Sequence, residues 1–292
     1  MKLNSSGVLF GISAYVIWGL LPIYWRWLER ASSYEILGHR AVWSLVFCLL
    51  FLAFQKQLIS TFKLFKDIRT LSLLALTSLL LSVNWGIYIW AVSEDRVVEA
   101  ALGYYITPLV AVSFGVFVLK EKLRNLQIIS VFLAGLGVLI LTFAYGHLPL
   151  VAISLAISWG SYSLIKKKLN AGALETLSIE TIIAFIPSAF YLSYLLENNK
   201  AEFGQDVGFS LALVTTGLMT VIPLLLFNAA TNRLPLTITG LLQYITPSIM
   251  FIIGILVFHE PLQLVKLIGF IFIWIALAIL GRDLYKLGGS VN

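Results

Sequence analysis

The sequence is poor in cysteine, histidine and charged residues. It has one cysteine, Cys48, and three histidines among 292 residues, so neither a disulfide framework nor a cysteine-based metal site is expected. Only 12% of the residues are charged, whereas 60% are hydrophobic. A soluble protein of this size does not need so large an apolar fraction, but a protein that crosses a bilayer many times does.

Long hydrophobic runs fill most of the chain and predict ten transmembrane helices in an all-α polytopic membrane protein. A helix of about 20 residues spans the bilayer hydrocarbon of about 30 Å. The sixth run is short, which leaves a partly re-entrant path open. The predicted segments are 8–28, 36–54, 71–93, 97–119, 126–144, 148–165, 174–196, 208–230, 236–258 and 262–281.

Lysine and arginine residues are distributed unevenly between the predicted connections. If the N-terminus is cytoplasmic, 14 of the 20 basic residues fall on the cytoplasmic side. The positive-inside rule therefore predicts that both termini lie in the cytoplasm, and it explains the net charge of +6 without a nucleic-acid partner. The run Lys166-Lys167-Lys168 is interpreted as part of this topology signal, with binding of anionic lipid as the alternative.

One motif occurs twice and predicts an internal repeat. The sequence Tyr-Ile-Thr-Pro stands at 105–108 and again at 244–247, and Trp-Gly pairs stand at 18–19 and 159–160. Each half then contains five predicted helices. Because five is odd, the second half must be inverted relative to the first, as in many secondary transporters.

The predicted domain organisation follows from this repeat. The first five-helix repeat covers residues 1–145 and the second covers 146–292, and both belong to one integral membrane unit. The joins between helices are mostly brief, so no separate soluble domain is expected.

Pro108 and Pro247 lie in the middle of the fourth and ninth predicted helices. A proline there has no N–H to donate and clashes with the carbonyl four residues earlier, so we predict a helix break at both positions. In a bilayer, broken backbone is tolerated mainly where it is buried in protein or lines a cavity. Two matched breaks, one in each half, are typical of a transporter's central site.

Polar and aromatic residues near these prolines are candidates for substrate binding. Amide and phenol groups suit a ligand with both apolar and hydrogen-bonding parts, and aromatic faces also attract a cationic amine. The alternative is that tryptophan and tyrosine form belts at the membrane interfaces. We predict that the third, fourth, eighth and ninth helices enclose the site. The candidate cavity residues are Asn84, Tyr88, Tyr104, Tyr105, Asn228, Gln243 and Tyr244.

Four ionisable residues within predicted helices are candidates for gating or coupling. Arg40 anchors a substrate carboxylate or a gate ion pair in one interpretation; in the other it reaches the membrane surface or pairs with Glu35 or Glu99. Histidine side chains ordinarily titrate near neutral pH, so His39 is a candidate proton sensor. The alternative is a histidine that is packed or lies at the membrane interface. Glu99 and Glu180 are candidates for proton coupling. The alternative is that each carboxylate is stabilised near a helix N-terminus.

Several short segments together carry a family resemblance. They are Ala14–Gly19 with Pro22, Glu35–Trp43, Asn84-Trp85, Leu102–Tyr105 with Pro108, Pro223–Phe227, Gly240–Tyr244 with Pro247, and Glu260-Pro261. In these segments the sequence resembles the drug/metabolite transporter superfamily of the EamA type, in particular its RarD subfamily. The resemblance implies a bacterial inner-membrane permease with ten helices and alternating access. Related members export or exchange amino acids and other metabolites, some carry S-adenosylmethionine, and RarD proteins are linked by name to chloramphenicol.

Taken with the repeat, these observations favour a secondary transporter of small metabolites or drugs. An intramembrane enzyme is disfavoured because His259-Glu260 has no second histidine at metalloprotease spacing and no G-x-S-x-G motif occurs. A channel or membrane scaffold is the third alternative. The expected partners are a small-molecule substrate and the lipid bilayer, with protons or another ion as candidates for coupling. No cofactor is expected, and a monomer is compatible with the sequence.

Overall fold

The computed structural model describes residues 4–93, 96–146, 149–169, 171–259 and 264–289. In these ranges the chain forms helices joined by short turns and no β-strand. Glu260 and Pro261 of the family motif lie outside them. The helices are α1 (Ser5–Arg26), α2 (Ser33–Phe54), α3 (Leu58–Leu64), α4 (Ile68–Ser93), α5 (Val97–Ser113), α6 (Asn125–Tyr145), α7 (Leu150–Lys168), α8 (Ala173–Glu197), α9 (Val207–Arg233), α10 (Leu236–Leu242), α11 (Ile245–Leu256) and α12 (Leu264–Gly289).

Nine helical spans in the described ranges are long and apolar enough to cross a bilayer. The remaining predicted segment is α7, a continuous helix of 19 residues, so the re-entrant path is not observed. Three lysines in its last turn lower its hydropathy, but much of its surface is buried by neighbouring helices. With α7 included, the described chain contains the ten membrane crossings that the sequence predicts. The short α3 was not predicted and lies in the connection between α2 and α4.

The packing of the helices follows the repeat. α1 packs against α9 and α11. Its equivalent in the second half, α7, packs against α4 and α5, which are the equivalents of α9 and α11. α2 packs on α8, and α6 packs on α12, so each of these pairs joins equivalent helices of the two halves. This pattern is the one expected of two inverted five-helix units related by an axis in the membrane plane. The protein is thus an all-α polytopic membrane protein with an inverted repeat.

Small residues allow backbones to approach at two of these contacts. A Cβ atom on Gly217 of α9 would lie 2.5 Å from the backbone carbon of Trp43 in α2. A Cβ atom on Gly137 of α6 would lie 2.7 Å from the carbonyl oxygen of Gly269 in α12. Close backbone approach at small residues is a common way for helices to pack in membranes.

The two proline-containing segments differ. The predicted break at Pro108 does not occur: α5 continues through it and then widens into a π-helical turn at Phe114–Val118. In the second half, Gln243 and Tyr244 separate α10 from α11, and this break precedes Pro247. Pro247 therefore lies in the first turn of α11, where the missing N–H has no partner within the helix in any case.

We name the two faces of the molecule by α1. The amino-terminal face is the one at which α1 begins, and the opposite face is the one at which α1 ends. The connections after α2, α5, α7 and α9 lie at the amino-terminal face if each span crosses once.

Candidate functional site: a cavity between the two halves

A cavity of about 580 Å³ lies between the two halves, in the part of the molecule nearer the opposite face. Its wall is formed by α1, α2, α4, α5, α7 and the region where α10 gives way to α11. Glu29 and Ser33 lie at its mouth, beside the turn between α1 and α2. The prediction of the enclosing helices is only partly correct. The third, fourth and ninth spans contribute, but α9, the eighth, supplies no lining residue and the first, second and sixth spans do.

The cavity ends at a layer of aromatic side chains, which we call the aromatic floor: Tyr15, Trp18, Trp159, Tyr162 and Phe227. The repeat-related Trp18 and Trp159 meet edge to face, with ring centroids 5.4 Å apart and planes at 82°. Phe227 packs against both indoles, at centroid distances of 5.7 and 5.4 Å. Tyr15 and Tyr162 are fully buried beneath them. The floor therefore separates the cavity from the amino-terminal face.

Arg40 projects into this cavity from α2. Its Nε atom donates a hydrogen bond to Oγ1 of Thr220 at 3.1 Å. The guanidinium carbon lies 4.4 Å from the ring centroid of Trp85 and 5.2 Å from that of Trp25. Within the described part of the chain, its two terminal nitrogens have no hydrogen-bond acceptor and no carboxylate partner. A positive charge thus lies inside a membrane-embedded cavity, between two indole rings.

The carboxylates proposed as partners of Arg40 are engaged elsewhere. Glu35 is 1% exposed and accepts two backbone N–H groups of the α8–α9 turn, at 2.8 and 3.1 Å. Glu99 pairs with Arg96 at 2.6 Å and accepts the backbone N–H of Val151 at 2.8 Å. The predicted pairing of Arg40 with either carboxylate is therefore wrong. Glu99 lies in the first turn of α5, and it also joins α5 to the start of α7.

His39 does not face the cavity. Its Nδ1 atom accepts a hydrogen bond from Nε1 of Trp43 at 3.2 Å, and its ring lies 4.7 Å from that of Phe203. Its Nε2 atom is 3.9 Å from a carboxylate oxygen of Glu35. These contacts are those of a packed histidine. In the described ranges, no group of three potential metal-ligating side chains occurs.

Four of the predicted cavity residues line the cavity together: Asn84, Tyr88, Tyr104 and Gln243. The amide nitrogen of Asn84 donates to a backbone carbonyl and to a serine hydroxyl of α7, both at 2.9 Å. The rings of Tyr88 and Tyr104 meet edge to face with centroids 6.2 Å apart. Pro247 also contributes to the wall, whereas Pro108 does not.

The other three predicted cavity residues lie elsewhere. Tyr105 packs against Phe270 of α12 at 5.4 Å, because successive helical residues point about 100° apart and Tyr104 already faces the cavity. Tyr244 is fully buried in the core, where the break between α10 and α11 places it. Asn228 is 1% exposed on α9, beyond the aromatic floor. Sequence reasoning could not fix these directions, since they depend on the exact helix geometry.

A buried ion pair lies on the other side of the aromatic floor. Glu180 of α8 is 2% exposed and accepts hydrogen bonds from Thr77 at 2.5 Å and from the Nζ atom of Lys166 at 3.2 Å. Lys166 is itself 3% exposed and paired with Glu180, a role that the interpretation of the lysine run as a topology signal did not include. Glu180 also lies beyond the first turn of α8, which weakens the helix-terminus interpretation. One signal in the sequence could have indicated this pair, because a carboxylate buried within a helix bundle needs a cationic partner.

Further contacts close the amino-terminal face. The Nζ atom of Lys167 donates to the carbonyls of Thr231 and Leu234 at the end of α9, at 2.7 and 2.6 Å. Glu121, just after the π-helical turn, accepts the first two backbone N–H groups of α10 at 2.6 and 2.9 Å. A carboxylate at a helix N-terminus and an ammonium at a helix C-terminus are each favourable. These contacts join the ends of α5 and α7 to α9 and α10.

Comparison with known proteins identifies related sequences along most of the chain. The model of the EamA-like transporter family matches residues 5–143 and again residues 148–282. "Protein RarD" of Streptomyces exfoliatus is 44% identical, with 95% of this chain and 89% of that protein covered. "Uncharacterized transporter YojE" of Bacillus subtilis (strain 168) is 41% identical, with 94% of this chain and 93% of that protein covered.

Two more distant comparisons extend this picture. "Chloramphenicol-sensitive protein RarD" of Pseudomonas aeruginosa is 29% identical over 98% of this chain and 97% of that protein. A solved crystal structure superposes with a TM-score of 0.74 and 17% identity, covering 96% of this chain and 98% of the other. At that identity the likeness supports the fold alone.

Proposed function

The chain belongs to the EamA-like transporter family, and we propose that it is a secondary transporter that moves a small molecule by alternating access. Its relatives are bacterial proteins, several of which are named transporters, so the chain is a multi-pass membrane transporter of the inner membrane. The observation that carries the proposal is the cavity at the interface of two inverted repeats, open toward one face and closed toward the other.

The closed side supports alternating access because its contacts cross between the halves. Tyr15 of the first half donates to the carbonyl of Thr239 in the second at 2.8 Å. At the same face, Glu121 of the first half accepts the first two backbone N–H groups of α10 in the second half. In an inverted repeat, exchanging the conformations of the two halves would open this face and close the other. We therefore infer that these contacts break when the cavity turns toward the amino-terminal face.

The moving units are the two repeats, residues 1–145 and 146–292. They have equivalent helices at their shared interface, with α2 against α8 and α6 against α12. Such pairs around a pseudo-twofold axis can serve as pivots, because both halves present the same surface to each other. A rearrangement about these pairs would then change access to the cavity.

The uneven distribution of basic residues supports an orientation with both termini in the cytoplasm. With that orientation, the cavity of this structure faces the cell exterior. Cys48 is fully buried, so a single cysteine introduced at Ser33 provides a specific probe in a Cys48→Ser background. Ser33 lies at the cavity mouth, and a membrane-impermeant maleimide should label it from outside intact cells. Labelling only in inverted vesicles would reverse the orientation.

The cavity has the size and lining of a small-molecule site. Ligand pockets commonly measure about 300–1,000 Å³, and this cavity measures about 580 Å³. Aromatic rings form much of its wall, with Asn84 and Gln243 as hydrogen-bonding groups. Amino-acid-like, S-adenosylmethionine-like and amphenicol compounds all combine apolar and polar parts of this kind. One relative has sensitivity to chloramphenicol in its name, which makes amphenicols a reasonable class to assay.

Among the coupling candidates, Glu180 has the best position. It is buried beside Lys166, on the side that must open in the other conformation. Proton entry from that side would neutralise the carboxylate and weaken the ion pair. Glu99 and His39 hold structural contacts in the described ranges, so we assign coupling to Glu180 rather than to them.

Flux measurements test the proposed function. Purified protein in proteoliposomes should give saturable, counterflow-stimulated uptake of at least one compound among amino acids, S-adenosylmethionine and amphenicols. Leu155 lines the cavity at 6% exposure, so Leu155→Trp should obstruct it and reduce uptake strongly. Ile157 lies on the same helix at 49% exposure, which makes Ile157→Trp a matched control that should transport normally.

The same assay separates the alternative functions. Current that does not saturate would indicate a channel, and a chemically altered compound would indicate an enzyme. Equal loss of uptake in Leu155→Trp and Ile157→Trp would contradict the assignment of this cavity as the transport site.

A further inference from the structure

The geometry points to an anion-binding subsite at Arg40, which selects substrates with a carboxylate attached to an apolar or aromatic body. This inference rests on the proposed function in that it names the class of substrate which the transporter would accept. It concerns one charged group and its surroundings, all within the described part of the chain.

The first step of the argument is the unpaired charge. A guanidinium within a bilayer is unfavourable unless an anion, water or a polar group accompanies it. One donor of Arg40 is bonded to Thr220, and four N–H donors on the two terminal nitrogens have no protein acceptor in the described ranges. The planar fork of two N–H groups matches the two oxygens of a carboxylate. A bound carboxylate would satisfy these donors and balance the charge.

The second step is the orientation of the guanidinium. Trp85 and Trp25 lie at 4.4 and 5.2 Å from its central carbon, and cation–π contact restrains the plane. The Nε bond to Thr220 fixes the third direction. Because the group is held on three sides, little side-chain entropy is lost when an anion binds. The site is therefore prepared before the substrate arrives.

The third step is the absence of a competing acid inside the cavity. Of the described residues that line it, Glu29 is the one carboxylate, and it lies at the exposed mouth. Glu35 and Glu99 are bonded to backbone N–H groups and, for Glu99, to Arg96. No ion pair joins Arg40 to any of these three among the described residues. A bound ligand can then supply the carboxylate that these residues do not.

The remaining wall describes the rest of the ligand. Tyr88 and Tyr104 line the same cavity as Arg40, and their rings meet edge to face. Trp18 and Trp159 form the end of the cavity. An aromatic or branched apolar body would fill this space, with Gln243 as a hydrogen-bonding group nearby. Aromatic carboxylates fit, and uncharged molecules of the same shape leave Arg40 unpaired.

Isothermal titration of the purified full-length protein in detergent tests the inference. The probes are phenylacetate, indoleacetate, L-phenylalanine and L-tryptophan, each compared with its own amide. At least one carboxylate should bind about 10- to 100-fold more tightly than its amide, since a charged hydrogen-bonded pair is lost in the amide. Equal affinities within every pair, or binding of the amides alone, would overturn the inference.

Variants at Arg40 locate the effect. Arg40→Gln should remove the preference for that carboxylate over its amide and leave the affinity for the amide unchanged. Arg40→Lys keeps the charge but loses the planar fork, so it should retain a reduced preference and serves as the check if Arg40→Gln does not fold. Arg30→Gln is the matched control, because Arg30 pairs with Glu202 outside the cavity. A preference unchanged in both Arg40 variants would refute the assignment.

Binding in detergent does not require transport, which separates the two proposals. Saturable uptake of some compound without any carboxylate preference would overturn the anion subsite and leave the transporter intact. Carboxylate binding that depends on Arg40, without uptake in proteoliposomes, would support the subsite and contradict the transport proposal.

Discussion

Arg40 and Glu180 stand 140 positions apart, at equivalent places in the two halves, yet their surroundings differ. Each side chain is hydrogen-bonded to a threonine hydroxyl on a neighbouring helix. The threonine is Thr220 on α9 for Arg40 and Thr77 on α4 for Glu180. Since α4 and α9 are themselves equivalent, the two contacts join equivalent pairs of helices. The difference is the counter-charge: Glu180 has Lys166, whereas Arg40 has an open cavity.

This difference shows how an inverted repeat becomes asymmetric. The equivalent of Lys166 in the first half is Trp25, which contributes an indole face to Arg40 where Lys166 contributes an ammonium to Glu180. The position of Arg40, which faces the cavity, thus exposes a cation. The position of Glu180, on the closed side, buries an anion together with its partner Lys166. If the conformations exchange, Glu180 becomes the group exposed to the amino-terminal face.

The largest expected effect comes from breaking the buried ion pair between Lys166 and Glu180. Lys166→Met leaves the buried carboxylate of Glu180 without its cation, and such single changes cost about 3–5 kcal/mol in stability. The double variant Lys166→Met with Glu180→Leu should recover much of that loss, because no buried charge remains. Thermal unfolding in detergent measures both.

The run of three lysines supplies the control for this prediction. Lys168 is exposed at the end of α7, and Lys168→Met should change the unfolding temperature little. If Lys166→Met behaved like Lys168→Met, the ion pair with Glu180 would not stabilise the closed face and the comparison with Arg40 would lose its meaning.

A medium effect is expected from the two prolines. Pro108 lies within the continuous α5, so Pro108→Ala restores an N–H that can bond to the carbonyl of Tyr104 and should raise stability by about 1–3 kcal/mol. Pro247 occupies the first turn of α11, where Pro247→Ala should change stability by less than about 1 kcal/mol. Unfolding temperatures of the two variants provide the test. Equal shifts would show that both segments tolerate proline in the same way, against the difference described here.

Much of the fold could be predicted from the sequence because the bilayer imposes strong rules. Ten apolar runs gave ten crossings, and the matched Tyr-Ile-Thr-Pro motifs gave the repeat. The extra helix α3 was missed, and of the two predicted helix breaks only the one near Pro247 occurs, at Gln243 and Tyr244. These details depend on local packing rather than hydropathy. The identity of α7 as a continuous span could be decided only when its surface was seen to be covered by other helices.

The candidate site was less predictable for geometrical reasons. Asn84 and Tyr88, four residues apart on one helical face, both line the cavity as that spacing implies. Tyr104 and Tyr105 are neighbours, so they could not both face it, and the sequence alone does not say which one does. Lys166 looked like a topology signal because a lysine run near a helix end usually is one. Its burial follows from the position of α8, which the sequence does not specify.

The smallest expected effect concerns two buried phenols beside the interface of the halves. The hydroxyl of Tyr15 donates to the carbonyl of Thr239 at 2.8 Å, whereas the hydroxyl of Tyr244 has no partner among the described residues. Tyr15→Phe should therefore lower stability by about 1 kcal/mol, and Tyr244→Phe should be neutral or slightly stabilising. Each change removes one oxygen and leaves the ring in place, so the pair are controls for each other. A larger loss in Tyr244→Phe than in Tyr15→Phe would mean that the contacts between the halves on the closed side are not those described here.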